Sequence, residues 1–172
     1  LANPTIYYWF TSLNTTKAQA RGEAVVTQRF LENFGGDQVR FLARAFAVSG
    51  DHLGQQSQGY RWPYGPVSLI TPFNFPLEIS LLQLMGALYM GNKVLFKTDS
   101  KTALVMEQTM HFLHHCGLPK TDVDFIHCDG PTMHAALMTA KPRNTLFTGS
   151  SRVAEVLARD LHGRIKIEGE YV

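Results

Sequence analysis

Asn74 sits between two phenylalanines and two prolines in Thr71-Pro-Phe-Asn-Phe-Pro76, directly after the apolar run Gly65-Pro-Val-Ser-Leu-Ile70. Pro72 and Pro76 fix φ near about −65° and turn the residues before them away from helix, so the amide is held rigidly where a strand hands over to a helix. Ligands of doubly wound sheets bind at that edge. A carboxamide there can donate hydrogen bonds to negative charge that develops during a reaction.

A second constellation is Phe147-Thr-Gly-Ser150, which ends one apolar run and opens a helical one. Backbone N–H groups and a serine hydroxyl at a positive helix terminus suit a pyrophosphate. Ser150 could equally cap the helix that begins near Ser151. Lys97 closes another strand-like run, where its ammonium could donate to ribose hydroxyls or be solvated. Neither Gly-x-Gly-x-x-Gly nor Gly-x-x-x-x-Gly-Lys-Ser/Thr occurs, so a nucleotide site rests on these residues. His111, His114, His115 and Cys116, with His127 and Cys128 further on, have metal-ligand residue types. Their spacing fits only partly, and histidines at a helix C-terminus are favoured by the dipole; no metal is expected.

The elements that must position these residues alternate in period. Strands are expected at Val67 to Thr71, Lys93 to Lys97, Val123 to His127, Asn144 to Thr148 and Arg164 to Glu168, each short and bounded by Gly, Pro or Asp. Helices are expected between them: Pro76 to Met90, apolar on nearly all sides and closed by Gly91; Ser100 to Cys116, with Ala103, Met106, Met110 and Leu113 on one stripe and Asp99 or Ser100 as N-cap; Pro131 to Ala140; and Ser151 to Leu161. The expected fold is α/β, a Rossmann-like parallel sheet of about five strands with covering helices. It is preceded by an N-terminal helical segment.

Residues 1–62 are read as that segment and its loop, helices without strands. One apolar face is marked by Val26, Phe30 and Phe34 and another by Val39, Leu42, Ala43 and Phe46, with a loop from Gly50 to Tyr60. Residues 63–172 are read as the coenzyme-binding domain, packed with the first part as one unit. The run Ile6-Tyr-Tyr-Trp-Phe10 suggests a segment buried on the domain or on a partner.

Composition narrows the classes of function. The chain has 172 residues, 45% of them apolar, and a formal charge of +2 without a basic run, which gives no footprint for nucleic acid or anionic membrane. Cys116 and Cys128 are too few for a disulfide framework and suit a reducing compartment. No apolar run is long enough to span a bilayer.

Taken in order, these segments resemble the aldehyde dehydrogenase family. Thr71-Pro-Phe-Asn-Phe-Pro76 is similar to its Pro-Trp-Asn-Phe-Pro, Gly91-Asn92 with Lys97 to its Gly-Asn-x-x-x-x-Lys, Gly117-Leu-Pro119 to its Gly-Leu-Pro, Gly130-Pro131 to its Gly-Pro, and Phe147-Thr-Gly-Ser150 to its Phe-Thr-Gly-Ser. Phe30-Leu-Glu-Asn-Phe34, Gly36 to Arg44, Gly59 to Pro66 and Leu82 to Asn92 resemble the plant-type pyrroline-5-carboxylate dehydrogenases more narrowly. The resemblance implies NAD-dependent oxidation of glutamate semialdehyde to glutamate, in the mitochondrial matrix. It assigns Asn74 to the oxyanion, and Thr71, Pro72 and Phe73 to the nicotinamide ribose and pyrophosphate. Lys97 and Ser100 are assigned to the adenosine ribose, Ser150 to a phosphate, and Gly130, Pro131, Val153 and Val156 to adenine. Glu168 takes the place of the glutamate that activates water, or is simply solvated.

The family's nucleophilic cysteine lies beyond that glutamate, and neither Cys116 nor Cys128 matches it. Ser100 stands where many members have a ribose-binding glutamate, and His134 where a small residue is common beside adenine. Two classes of function are therefore expected: the coenzyme-binding part of a dehydrogenase whose catalytic domain lies elsewhere, or a catalytically inactive accessory subunit. In either, a protein partner or a further domain covers the interdomain surface.

Overall fold

A computed structural model describes residues 15–38 and 44–170. The helix α1 (Lys17–Glu32) comes first, N-capped by Thr16, whose hydroxyl accepts from Gln19 N–H at 3.3 Å. A short 3₁₀ turn (Gly36–Gln38) follows, then a hairpin of β1 (Phe46–Ser49) and β2 (Gln56–Gly59). The rest alternates: β3 (Pro66–Thr71), α2 (Glu78–Tyr89), β4 (Lys93–Thr98), α3 (Ala103–His115), β5 (Val123–Phe125), α4 (Gly130–Ala140), β6 (Asn144–Ser150), α5 (Ser151–Leu161) and β7 (Ile165–Glu170).

The five strands β3 to β7 form one parallel sheet in the order β5-β4-β3-β6-β7, the expected Rossmann-like arrangement. Alternation along each strand sends one set of side chains to each face. Val67, Leu69, Val94 and Phe96 bury on one face with Leu81, Leu84, Met106 and Met110 of α2 and α3. Ile70, Leu95 and Phe147 face the other way, onto Met133 and Leu137 of α4 and Ala154, Leu157 and Leu161 of α5. Polar pairs stitch the centre: the hydroxyls of Ser68 and Thr145 lie 2.7 Å apart with both residues fully buried.

Element ends show where side chains close the backbone. Gly91 has a φ of 79°, so the chain leaves α2 through a left-handed residue that a β-carbon would strain. Asn92 then ties the start of β3 to the end of α2, its Oδ1 accepting from Tyr64 and Gly65 N–H at 2.7 and 3.2 Å and its Nδ2 donating to Ala87 O at 2.9 Å.

Several expectations are corrected. The region before residue 60 is not strand-free. Phe46–Ser49 pairs antiparallel with Gln56–Gly59 inside the expected loop, and the Phe46 ring lies over Gly59, within 2.0 Å of where a β-carbon would stand. Both strands are largely exposed, so no alternation of burial marks them in the sequence. Phe46 therefore belongs to a strand rather than a helical face; Val39, Leu42 and Ala43, like Ile6 to Phe10, lie outside the described residues. On α1 the buried positions are Ala20, Glu23 and Thr27, while Val26 and Phe30 are only half-buried. The helix α3 begins at Ala103 with Thr102 as N-cap, not at Ser100, because Asp99 closes a turn first: its Oδ1 accepts from Lys101 N–H at 2.9 Å and its carbonyl from Thr102 N–H at 3.1 Å. Among the described residues no helix is long and apolar enough to cross a membrane.

Candidate functional site: a cleft at the switch point of the sheet

From the central strand β3 the chain fills β4 and β5 on one side and then β6 and β7 on the other, so the loops leaving β3 and β6 diverge above the sheet. That divergence makes a crevice at the carboxyl edge. A cavity of about 750 Å³ lies there, on the α4 and α5 side, within the roughly 300–1,000 Å³ usual for small-molecule sites. Its walls contain Thr71, Pro72, Phe73 and Asn74 from the β3–α2 turn, and Lys97 and Ser100 from the end of β4 and the turn after it. Gly130 and Pro131 open α4, and Ser150, Val153 and Val156 come from the start of α5. Glu168 is not in this lining; it is exposed on the edge strand β7, paired in register with Thr148.

The Asn74 turn is fastened at several points. Thr71 is buried with its hydroxyl 2.8 Å from that of Ser80, one turn into α2. Asn74 Oδ1 accepts from the N–H of Phe75 at 3.0 Å, which fixes the plane of the amide and makes Nδ2 its other end. The exposed ring of Phe73 carries the Lys101 ammonium 4.6 Å from its centroid.

Two helices begin at the cleft, and they differ in how their first N–H groups are met. At α4 the Asp129 carboxylate accepts from Thr132 N–H at 2.8 Å, and hydrogen bonding from Thr132 holds its carboxyl below the usual range, with Lys97 adding to the effect. That terminus already carries its anion. At α5 the N-cap residue Ser150 makes no side-chain capping bond, so the hydroxyl is not spent on the helix. The buried Lys97 donates to Thr98 O at 3.0 Å and brings a cation to the same cleft.

Sequence reasoning left out several cleft residues: Asp129, Arg152, Leu157, and, as site residues, Cys128 and His134. Asp129 and Cys128 precede the marked Gly130 at the β5–α4 junction and Arg152 lies beside Val153, while His134 and Leu157 stand further along the same two helices; that proximity in sequence is the one signal available. The histidines of α3 form no metal cluster. Among the described residues no group of three or more His, Cys, Asp or Glu could hold an ion, and His114 Nδ1 instead lies 2.8 Å from the Leu118 carbonyl beyond the helix end.

Comparison with known proteins follows the same lines. The aldehyde dehydrogenase family matches residues 7–168. The chain is 72% identical over 150 residues to the mitochondrial delta-1-pyrroline-5-carboxylate dehydrogenase 12A1 of Arabidopsis thaliana, covering 87% of this chain and 27% of that protein. It is 39% identical over 108 residues to the bifunctional protein PutA of Salmonella typhimurium, covering 62% of this chain and 8% of that one. The chain thus spans about a quarter of the length of the Arabidopsis relative. Its fold superposes on a solved aldehyde dehydrogenase from Brucella melitensis biovar abortus with a TM-score of 0.88, over 97% of this chain and 35% of that one at 23% identity. A sheet of this order, a cleft with these walls, and a family match spanning both lead to one conclusion: the chain belongs to the aldehyde dehydrogenase family.

Proposed function

We propose that this chain holds the dinucleotide of an NAD-dependent aldehyde dehydrogenase that oxidises glutamate semialdehyde to glutamate, as the resemblance to the Arabidopsis enzyme suggests. The observation that carries the reading is the contrast between the two N-cap residues. The N-cap of α5, Ser150, is uncharged and makes no side-chain capping bond, which suits a pyrophosphate at that terminus, whereas the N-cap of α4 is the carboxylate of Asp129, which accepts from Thr132 N–H. Lys97 and Ser100 then face the adenosine ribose, and Pro131, Val153 and Val156 give an apolar slot for the base. Thr71, Pro72 and Phe73 take the nicotinamide end.

NAD, when bound, accepts the hydride. The chain's own part is to orient and to stabilise charge. With Oδ1 fixed by Phe75, Asn74 presents its NH₂ group to the oxyanion formed when a thiolate adds to the aldehyde; a preorganised donor of this kind contributes about 2.7–4 kcal/mol. In the family that thiolate comes from a cysteine later in the sequence than the counterpart of Glu168, and Glu168 takes the water-activating role. The same resemblance assigns the chain to the mitochondrial matrix.

The test is thermal unfolding with NAD. A ligand at about 100 times its dissociation constant adds about 2.7 kcal/mol of stability, and Lys97→Met should remove most of the shift. No shift with the unsubstituted chain would overturn the reading.

A further inference from the structure

The turn that presents Asn74 is anchored from outside its own strand and helix. The helix α2 starts without help from its N-cap residue: Leu77 has no side chain able to accept a hydrogen bond, and its N–H and that of Glu78 are among the orphan donors of the first turn. Both are met by one oxygen. Glu23 Oε1, on α1, accepts from Leu77 N–H at 2.7 Å and from Glu78 N–H at 3.0 Å, across more than fifty residues of sequence.

Glu23 is 3% exposed, and its second oxygen is buried without a hydrogen bond to a described residue. Burying a carboxyl this way is costly, and a well-packed apolar side chain would join α1 to α2 at less expense. What an apolar side chain could not do is hold the amides of residues 77 and 78, only three and four positions after Asn74. Other supports are the Thr71–Ser80 hydroxyl pair, the Phe75–Asn74 bond and the two prolines, with the Asp99 N–H on Thr71 O at 3.1 Å and the Lys101 ammonium over the Phe73 ring reaching the turn from the loop after β4. Glu23 ties the start of α2, just after the turn, to α1 by hydrogen bonds.

We propose that Glu23 is a positioning residue for the Asn74 turn, a remote cap through which α1 sets where α2 begins and so where the amide of Asn74 points. The nucleotide-binding arm of the test rests on the function proposed above; the exchange arm does not.

The whole chain is compared with Glu23→Ala, Glu23→Gln and Glu23→Asp. Amide hydrogen exchange is followed residue by residue, and the affinities of NAD and of ADP, which lacks the nicotinamide end, are measured by calorimetry. In Glu23→Ala, exchange at Asn74, Phe75, Leu77 and Glu78 should rise about tenfold or more while β4 and α4 keep their protection, as loss of the acceptor that meets both amides predicts. Glu23→Gln keeps an acceptor at the same reach and should stay within about threefold of the parent; Glu23→Asp, one methylene short, should behave like alanine. NAD affinity should fall about tenfold in Glu23→Ala and ADP affinity by less than about twofold, with glutamine restoring NAD. Unchanged exchange at Leu77 and Glu78 in the alanine variant overturns the proposal, and so does a uniform rise in exchange or an equal loss of NAD and ADP affinity. If Glu23→Ala does not fold, the glutamine and aspartate pair decides: equal behaviour of the two overturns it. If the parent chain binds no NAD, the reading of the cleft fails while the exchange pattern still decides the role of Glu23.

Discussion

His134 Nε2 lies 2.9 Å from Asp160 Oδ2, so the two helices that flank the cleft, α4 and α5, are joined by an imidazole that is itself part of the cleft wall. Both side chains keep solvent contact, and Arg159 Nε lies 3.0 Å from the other oxygen of Asp160. Hydrogen bonding from Arg159, and then from His134, holds Asp160 below the usual carboxylate range. A partly exposed polar pair of this kind contributes little to stability, so His134→Ala should change the unfolding free energy by less than about 1 kcal/mol. Its effect on ligand should be larger in proportion. Loss of a ring that an adenine can pack against should weaken NAD roughly two- to tenfold, read by calorimetry, with nicotinamide mononucleotide unaffected.

The two cysteines give a built-in footprint. Cys128 is half-buried and lines the cleft, whereas Cys116 is exposed beyond the end of α3. Saturating NAD should slow alkylation of Cys128 at least about fivefold, as a ligand covering most of its pocket requires, and leave Cys116 unchanged. Mass spectrometry of labelled peptides separates them, and equal rates at Cys128 with and without NAD would count against a ligand in this cleft.

Stability should respond to pH through Glu23. Burial raises its carboxyl above the ordinary value of 4.5, the leading effect, with Glu78 nearby adding to it and the two backbone hydrogen bonds opposing it. For an acid whose pKa is higher when folded, the folded state holds the extra proton between the two values, so stability falls as pH rises through that interval. Above it the cost of the buried charge is fully present; below about 4.5 it is gone. Melting temperatures of the parent and Glu23→Gln, measured from pH 4 to 8, should therefore differ increasingly in favour of glutamine as pH rises through the interval. Glu78, also raised by burial, is present in both proteins and is coupled to Glu23 through its charge, so the comparison reads the effect of removing Glu23 from the pair.

Inside the sheet, Ser68 and Thr145 share a hydroxyl pair with no access to water. Ser68→Ala leaves the Thr145 hydroxyl without its partner and should cost about 1–3 kcal/mol. Adding Thr145→Val should recover part of that loss, so the double variant is less damaged than the sum of the singles. Urea unfolding of the four proteins measures the coupling.

Apolar burial sets the largest single effects. Leu84 of α2 has no exposed surface, and Leu84→Ala should cost about 2–5 kcal/mol, or several degrees in melting temperature. Leu53, fully exposed at the tip of the β1–β2 hairpin, should tolerate alanine within about 0.5 kcal/mol.

By itself the sequence determined the parallel sheet, the helices that cover it and the strand ends where the candidate site residues stand. The reason is local. Short apolar runs such as Val67 to Thr71 and Asn144 to Thr148, separated by helical periods and punctuated by Gly and Pro, admit few arrangements other than alternating strands and helices, and Asn74 and Ser150 occupy their ends whatever the sheet order. Tertiary structure decided what depends on partners far along the chain. The buried face of α1 is set by Glu23 because its carboxyl meets amides at residues 77 and 78, a match that no periodicity of apolar residues encodes. The hairpin of Phe46–Ser49 and Gln56–Gly59 is held by backbone pairing and by a ring laid over a glycine, with both faces largely exposed, so it leaves no hydrophobic rhythm to read. Which helix terminus at the cleft is closed by Asp129 and which is left to Ser150 was likewise fixed only when the loops folded, because a capping bond depends on where a side chain turns and not on which residue precedes the helix.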